Sequence, residues 1–120
     1  MIPIRTILND APSVTALLKG SDGVLRVYRD LASEGVQYPY AVWTLISGHA
    51  IDNVDIPAVD DSIEIQIDVY AQTEQDRDNV FKAVRNVLKH HSIINNFPNI
   101  GSGVPGIYRG TFTCGWLIEA

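Results

Sequence analysis

One cysteine, Cys114, stands among 120 residues, which excludes an intrachain disulfide and any zinc site built from several thiolates. Cations are scarce as well. Nine Lys and Arg face fourteen Asp and Glu, for a formal charge of −5. Non-specific DNA binding needs surplus positive charge for the phosphates, so that class drops out. No apolar run approaches the roughly 20 residues that span a bilayer. The opening Met1-Ile-Pro-Ile-Arg-Thr-Ile-Leu-Asn-Asp has a charge but no continuous apolar stretch behind it, unlike a secretory signal. The expectation is a soluble intracellular protein without membrane contact.

What is present is ordinary globular material, with 46% hydrophobic and 19% charged residues. A chain of this length suits one domain over residues 1–120, large enough to bury about two-thirds of its surface around a single core. Ile4, Ile7, Leu8, Ala11, Val14, Leu17 and Leu18 recur at helical spacing. Pro12 interrupts them, which predicts two short helices, the second capped by Asp10 with Pro12 in its first turn. Lys19-Gly20 ends that helix and Ser21-Asp22-Gly23 turns the chain.

Val24 to Tyr28 reads as a short strand and Ala32 to Gln37 as a polar loop. Tyr40-Ala-Val-Trp-Thr-Leu-Ile46 is a strand apolar on both faces, a pattern of central strands or of strands that meet another subunit. Its large rings, Tyr40 and Trp43, are the candidate interface residues, since aromatic side chains are enriched at interface centres. Gly48 to Asp61 forms a loop with Asp52, Asp55, Asp60 and Asp61 and no Lys or Arg.

Ser62 to Tyr70 alternates cleanly, with Ile63, Ile65, Ile67 and Val69 on one face and Glu64, Gln66 and Asp68 on a face expected to be wet. Thr73, with Asp76 three residues on, caps a helix whose Val80, Phe81, Val84, Val87 and Leu88 line one side; Asp78 and Lys82 are spaced to pair. Ser92 to Gly106 has the composition of irregular loop, and Ile107 to Ile118 alternates as a last strand. The predicted class is α+β: an antiparallel sheet of about four strands, one long amphipathic helix packed on it, and short N-terminal helices.

No catalytic, cofactor or metal site emerges. His90 and His91 point about 100° apart on a helix and do not converge on one ion, and His49 stands alone. Cys114 falls on an apolar strand face, as a small hydrophobe would, with nothing basic patterned near it. No serine sits in a nucleophile-elbow context. The glycines at 101, 103 and 106 follow no strand, so they form no dinucleotide loop. Asp52-Asn53-Val54-Asp55 lacks the central glycine and terminal Glu of a calcium loop. The acidic loop is a solvated projection, or one that meets a basic partner or repels nucleic acid.

Several stretches together resemble a known family. They are Ile7-Leu8 to Leu17-Leu18, Val27-Tyr28 before the polar loop, Tyr38-Pro-Tyr-Ala-Val-Trp43 with Ile46-Ser47, and Ile65-Gln-Ile-Asp-Val-Tyr-Ala71 running into the helix from Thr73 to Leu88. They resemble the tail terminator, or tail completion, proteins of long-tailed bacteriophages over about three-quarters of the chain. The resemblance implies a structural virion protein at the head-proximal end of the tail, made in the host cytoplasm. It implies a ring, typically a homohexamer, that caps the tail tube, ends its polymerisation and offers a surface to the head-tail connector protein. DNA would pass through the ring without sequence-specific binding, and the family has no active site to carry over. Asp52, Asp55, Asp60 and Asp61 would then line the lumen or contact a partner.

Two readings stand beside this one. A head-completion or connector subunit of the phage neck is also small and ring-forming. A monomeric or dimeric ligand-binding α+β domain would show a concave apolar pocket with convergent polar groups.

Overall fold

A computed structural model describes residues 4–32, 35–48, 61–96 and 104–118. The elements in chain order are α1 (Ile4–Asn9), α2 (Pro12–Leu18), β1 (Val27–Arg29), β2 (Tyr40–Gly48), β3 (Asp61–Ala71), α3 (Glu74–Leu88), β4 (Ile93–Asn96) and β5 (Tyr108–Ile118). The architecture is α+β, with α3 and the two short helices on one face of one sheet.

The sheet is larger and more mixed than the pattern predicted. Its order is β1-β2-β3-β5-β4. β2, β3, β5 and β4 run antiparallel in turn, whereas β1 lies parallel to β2. Between these two strands, Asp30, Leu31, Ala32 and Val36 lie with Tyr40, Asp68 and Tyr70 on the face away from α3. The fifth strand, β4, arises inside the stretch that composition assigned to loop. Ile94 explains it: this side chain packs against the core beside Cys114, its partner in register.

α3 follows directly from its sequence. Thr73 is the N-cap and its hydroxyl accepts a hydrogen bond from the Asp76 N–H at 3.1 Å, which satisfies one of the free donors of the first turn. Val80, Val84 and Leu88, spaced by four, are fully buried. Asp78, expected to pair with Lys82, instead meets Arg77 Nη2 at 3.0 Å. α2 begins differently from expectation too. Ala11, not Asp10, is its N-cap and supplies no side-chain bond. Pro12 sets the start, because its fixed φ suits the first helical position and its missing N–H costs nothing there.

The core lies between the helices and the sheet. Ile4, Leu8, Val14 and Leu18 from α1 and α2 meet Val80, Val84 and Leu88 of α3 over Ile65, Ile67, Val69, Phe112 and Cys114. β3 supplies the middle of this layer, paired with β2 from Tyr40↔Tyr70 to Gly48↔Ile63 and with β5 along its whole length. α3 sits close to β5 at Gly110, where a Cβ would lie 2.8 Å from the Phe81 ring, itself edge-on to Phe112 at 5.2 Å. Only glycine admits that approach without moving the ring.

Where β1 stops has consequences for the edge of the sheet. Asp30 takes φ of 65°, the left-handed region that an Asp tolerates better than most residues. Its N–H still donates to the Trp43 carbonyl at 2.8 Å, but Leu31 N–H turns back to Arg29 O at 2.7 Å and the chain leaves the edge. β1 therefore covers β2 only as far as Trp43.

Candidate subunit interface

The two faces of β2 separate the candidate rings. Trp43 points to the helix side, where it belongs to the core, 9% exposed, with the Arg29 guanidinium 4.9 Å from its ring centroid. Tyr40 points to the opposite face and is half-buried. Its ring stacks on Tyr70 at 5.0 Å and 22°, with Tyr38 at 5.2 Å and Tyr28 edge-on at 6.3 Å. Four tyrosines scattered in sequence thus form one cluster, joined by the β1–β2–β3 register. Burial, with Tyr38 and Tyr70 beside it, pushes the Tyr40 phenol from its ordinary 10.0 up to about 12. Tyr70 is raised too, first by burial and then by the Asp68 charge.

Beside the tyrosines lies a polar network that strand alternation alone does not foretell. Asp68, expected on a wet face, is only 6% exposed. Its Oδ1 accepts from Thr111 Oγ1 at 2.7 Å and from Arg109 Nη2 and Nε at 3.0 and 3.2 Å. Gln66 Nε2 donates to both carboxylate oxygens, at 3.1 and 3.2 Å. The partners that a covered Asp68 requires come from its own strand and from β5 of the same chain, where the register places Thr111 directly opposite it. Thr113, one row along, is 1% exposed and its hydroxyl has no hydrogen-bond partner among the described residues.

β2 changes character along its length. Ala41, Val42 and Trp43 are buried within the chain, whereas Leu45 and Ile46 are each 45% exposed. Ile46 falls at a bulge in the pairing with β3, where the register shifts between Leu45 and Ser47. The apolar pattern read from Tyr40 to Ile46 is therefore consumed by the chain's own core at one end and left uncovered at the other.

Of the acidic loop, Asp52, Asp55 and Asp60 lie outside the described residues, as do His49, Gly101 and Gly103; Asp61 opens β3, in register with Ile118. Cys114 is buried, bonded by Trp116 Nε1–H at 3.3 Å, and burial pushes its thiol pKa up, which disfavours the reactive thiolate. His90 and His91 are exposed, and His91 faces Trp116 at 6.4 Å. Among the described residues no three His, Cys, Asp or Glu side chains gather as a metal site would require. A cleft of about 200 Å³ opens between Asp30, Leu31, Ala32 and Val36 on one side and Tyr40, Asp68 and Tyr70 on the other. It is smaller than the usual ~300–1,000 Å³ of a small-molecule site.

The comparison with protein families decides the class. A family model described as tail completion protein gp17 matches residues 2–119. The chain belongs to the tail completion protein gp17 family. As a member of that family it is a structural protein of phage tail assembly and a component of the virion, and the non-enzymatic reading rests on that membership. No curated protein matches it. No described helix is long and apolar enough to cross a membrane.

Two measurements probe the face that carries Tyr40 and Asp68. Arg109→Met keeps the side-chain stem but strips Asp68 of its countercharge, and should lower unfolding free energy by ~1–3 kcal/mol in urea titration. Adding Asp68→Asn should recover part of that loss; a purely additive pair would mean that the two groups do not interact. For Tyr40 the sign follows from a folded pKa above the unfolded one. Its contribution to stability is complete below pH 10 and is lost as pH rises through about 12. Denaturation midpoints should fall across that interval more steeply for the wild type than for Tyr40→Phe, and equal slopes would contradict the assignment.

Proposed function

We propose that this protein assembles as a closed ring, a homohexamer, on the finished end of the tail tube. There it stops addition of tube subunits and presents its other side to the head-tail connector, with DNA passing through the bore. The match to a tail completion family over residues 2–119 carries this reading. A protein that completes a tail has to recognise the end of a tube without itself extending it. A ring of fixed copy number does both, because heterologous contacts that close by rotation leave no free contact for growth.

The surface of the protomer supports self-assembly. Leu45 and Ile46 leave apolar area in solvent on a strand whose other half is buried, and such exposed patches mark sites of association. On this reading the contact proposed at Tyr40 and Trp43 extends along the same strand: Trp43 anchors β2 in the core, Tyr40 borders the contact, and Leu45 and Ile46 make it. At −5 per copy, six copies carry a formal charge of about −30, which keeps the ring from retaining DNA.

Light scattering after size exclusion over a concentration series, with and without purified tail tubes, tests the reading. Six copies of 13.2 kDa give a species of about 79 kDa, and electron microscopy should place it at tube ends. A chain that stays at 13.2 kDa and leaves tubes uncapped and growing would overturn it.

A further inference from the structure

Among the described residues the sheet has two outer edges with backbone groups to spare, and they stand at the same level. Reading across the strands, one row runs Ile94–Cys114–Ile65–Leu45 and the next runs Asn95–Thr113–Gln66–Thr44. The first row lies on the helix side and is wholly apolar; the second is polar in residue type throughout, and its Thr113, Gln66 and Thr44 lie on the opposite face. β4 is an edge strand, and β2 is also an edge from Thr44 onward, where among the described residues no strand pairs with its outer side.

The backbone of β2 shows which groups face outward. Ala41 N–H donates to Arg26 O, and Trp43 O accepts from Asp30 N–H, both toward β1. The two-residue period of a strand then turns the N–H and C=O of Leu45 to the same side. Exposed edges in natural proteins are guarded by charge, Lys or Pro. Thr44-Leu45-Ile46 and Ile93-Ile-Asn-Asn96 carry none of these. The bulge after Leu45 limits the open ladder to its first residues, so it suits a short partner strand such as β4.

Resting on the ring reading, we propose that neighbouring copies are joined by β-pairing: the outer edge of β2 at Thr44–Ile46 in one copy receives β4 of the next. The directions agree. β2, β3, β5 and β4 alternate, so a second copy brought alongside without being turned over offers β4 antiparallel to β2. The rows agree as well. Leu45 of one copy continues into the level of Ile94 of the next, apolar against apolar, and Thr44 into the level of Asn95, polar against polar. The contact uses a different edge on each partner, which makes it heterologous, and every copy in a closed ring is then held on two sides. A single short ladder buries less than the ~1,000 Å² of a stable interface. Monomers in dilute solution, held together only once closure supplies both contacts, follow from that.

Cross-linking between two different positions tests this directly. A Thr44→Cys/Asn95→Cys double variant, treated with a short bismaleimide whose reach tolerates a slip in register, should give a ladder of covalent multimers up to the assembled copy number. Either single variant should give none, because Cys114 is buried. Leu45→Lys should raise the concentration needed for assembly at least tenfold while the melting curve of the monomer stays unchanged. Assembly of normal mass with no 44–95 cross-link, and with Leu45→Lys assembling as the wild type does, would overturn the edge contact and leave the ring standing. Absence of any assembly, with tubes present, would overturn the ring and this contact together.

Discussion

A buried carboxylate on the middle strand fixes the register on which the rest of the sheet depends. Asp68 is satisfied only where Thr111 and Arg109 of β5 and Gln66 of its own strand converge on it. A slip of one residue between β3 and β5 would turn Phe112 and Cys114 out of the core and leave Asp68 buried without donors. Breaking such a constellation costs more than the contact itself returns, so it selects one arrangement over its neighbours. With β3 and β5 locked, Gly110 is held under Phe81, and the apolar row of Ile65, Ile67 and Val69 meets α3.

The same register decides which surface is left over. β1 ends at Arg29 because Asp30 turns left-handed, and the chain departs across the sheet face instead of following β2 to its end. That departure closes the cleft beside the tyrosines and opens the outer side of β2 beyond Trp43. At the opposite margin β4 is short and uncharged. Among the described residues the protomer is well packed in its centre and open at these two margins, which suits the closed assembly proposed above.

Much of this was legible in the chain. The helix from Glu74 to Leu88 announces itself by its cap and its apolar spacing, and β3 by strict alternation, because both are local patterns of one segment. The two-sided apolar pattern of β2 is legible, but not which half of it is exposed; that depends on where β1 ends. The Asp68 network could not be read, since its members sit on strands some forty residues apart and only pairing reveals that Thr111 opposes Asp68. Alternation marks Asp68 as polar-facing, but a polar-facing position need not be wet. The tyrosine cluster was hidden for the same reason. Ile93-Ile-Asn-Asn96 reads as loop because four residues, two of them asparagines, carry too little propensity to declare a strand without the edge of β5 to pair with.

The central claim is that backbone groups left open in one copy are closed by another. Hydrogen exchange at the amides of β2 and β4, followed by NMR or mass spectrometry across the concentration range of assembly, tests it most directly. The Leu45 amide and those of β4 should exchange as exposed groups in the monomer and gain protection in step with the rise in mass, while the amides of β3 stay protected throughout. Mass that rises to that of a ring while Leu45 and β4 go on exchanging at the monomer's rate would contradict it.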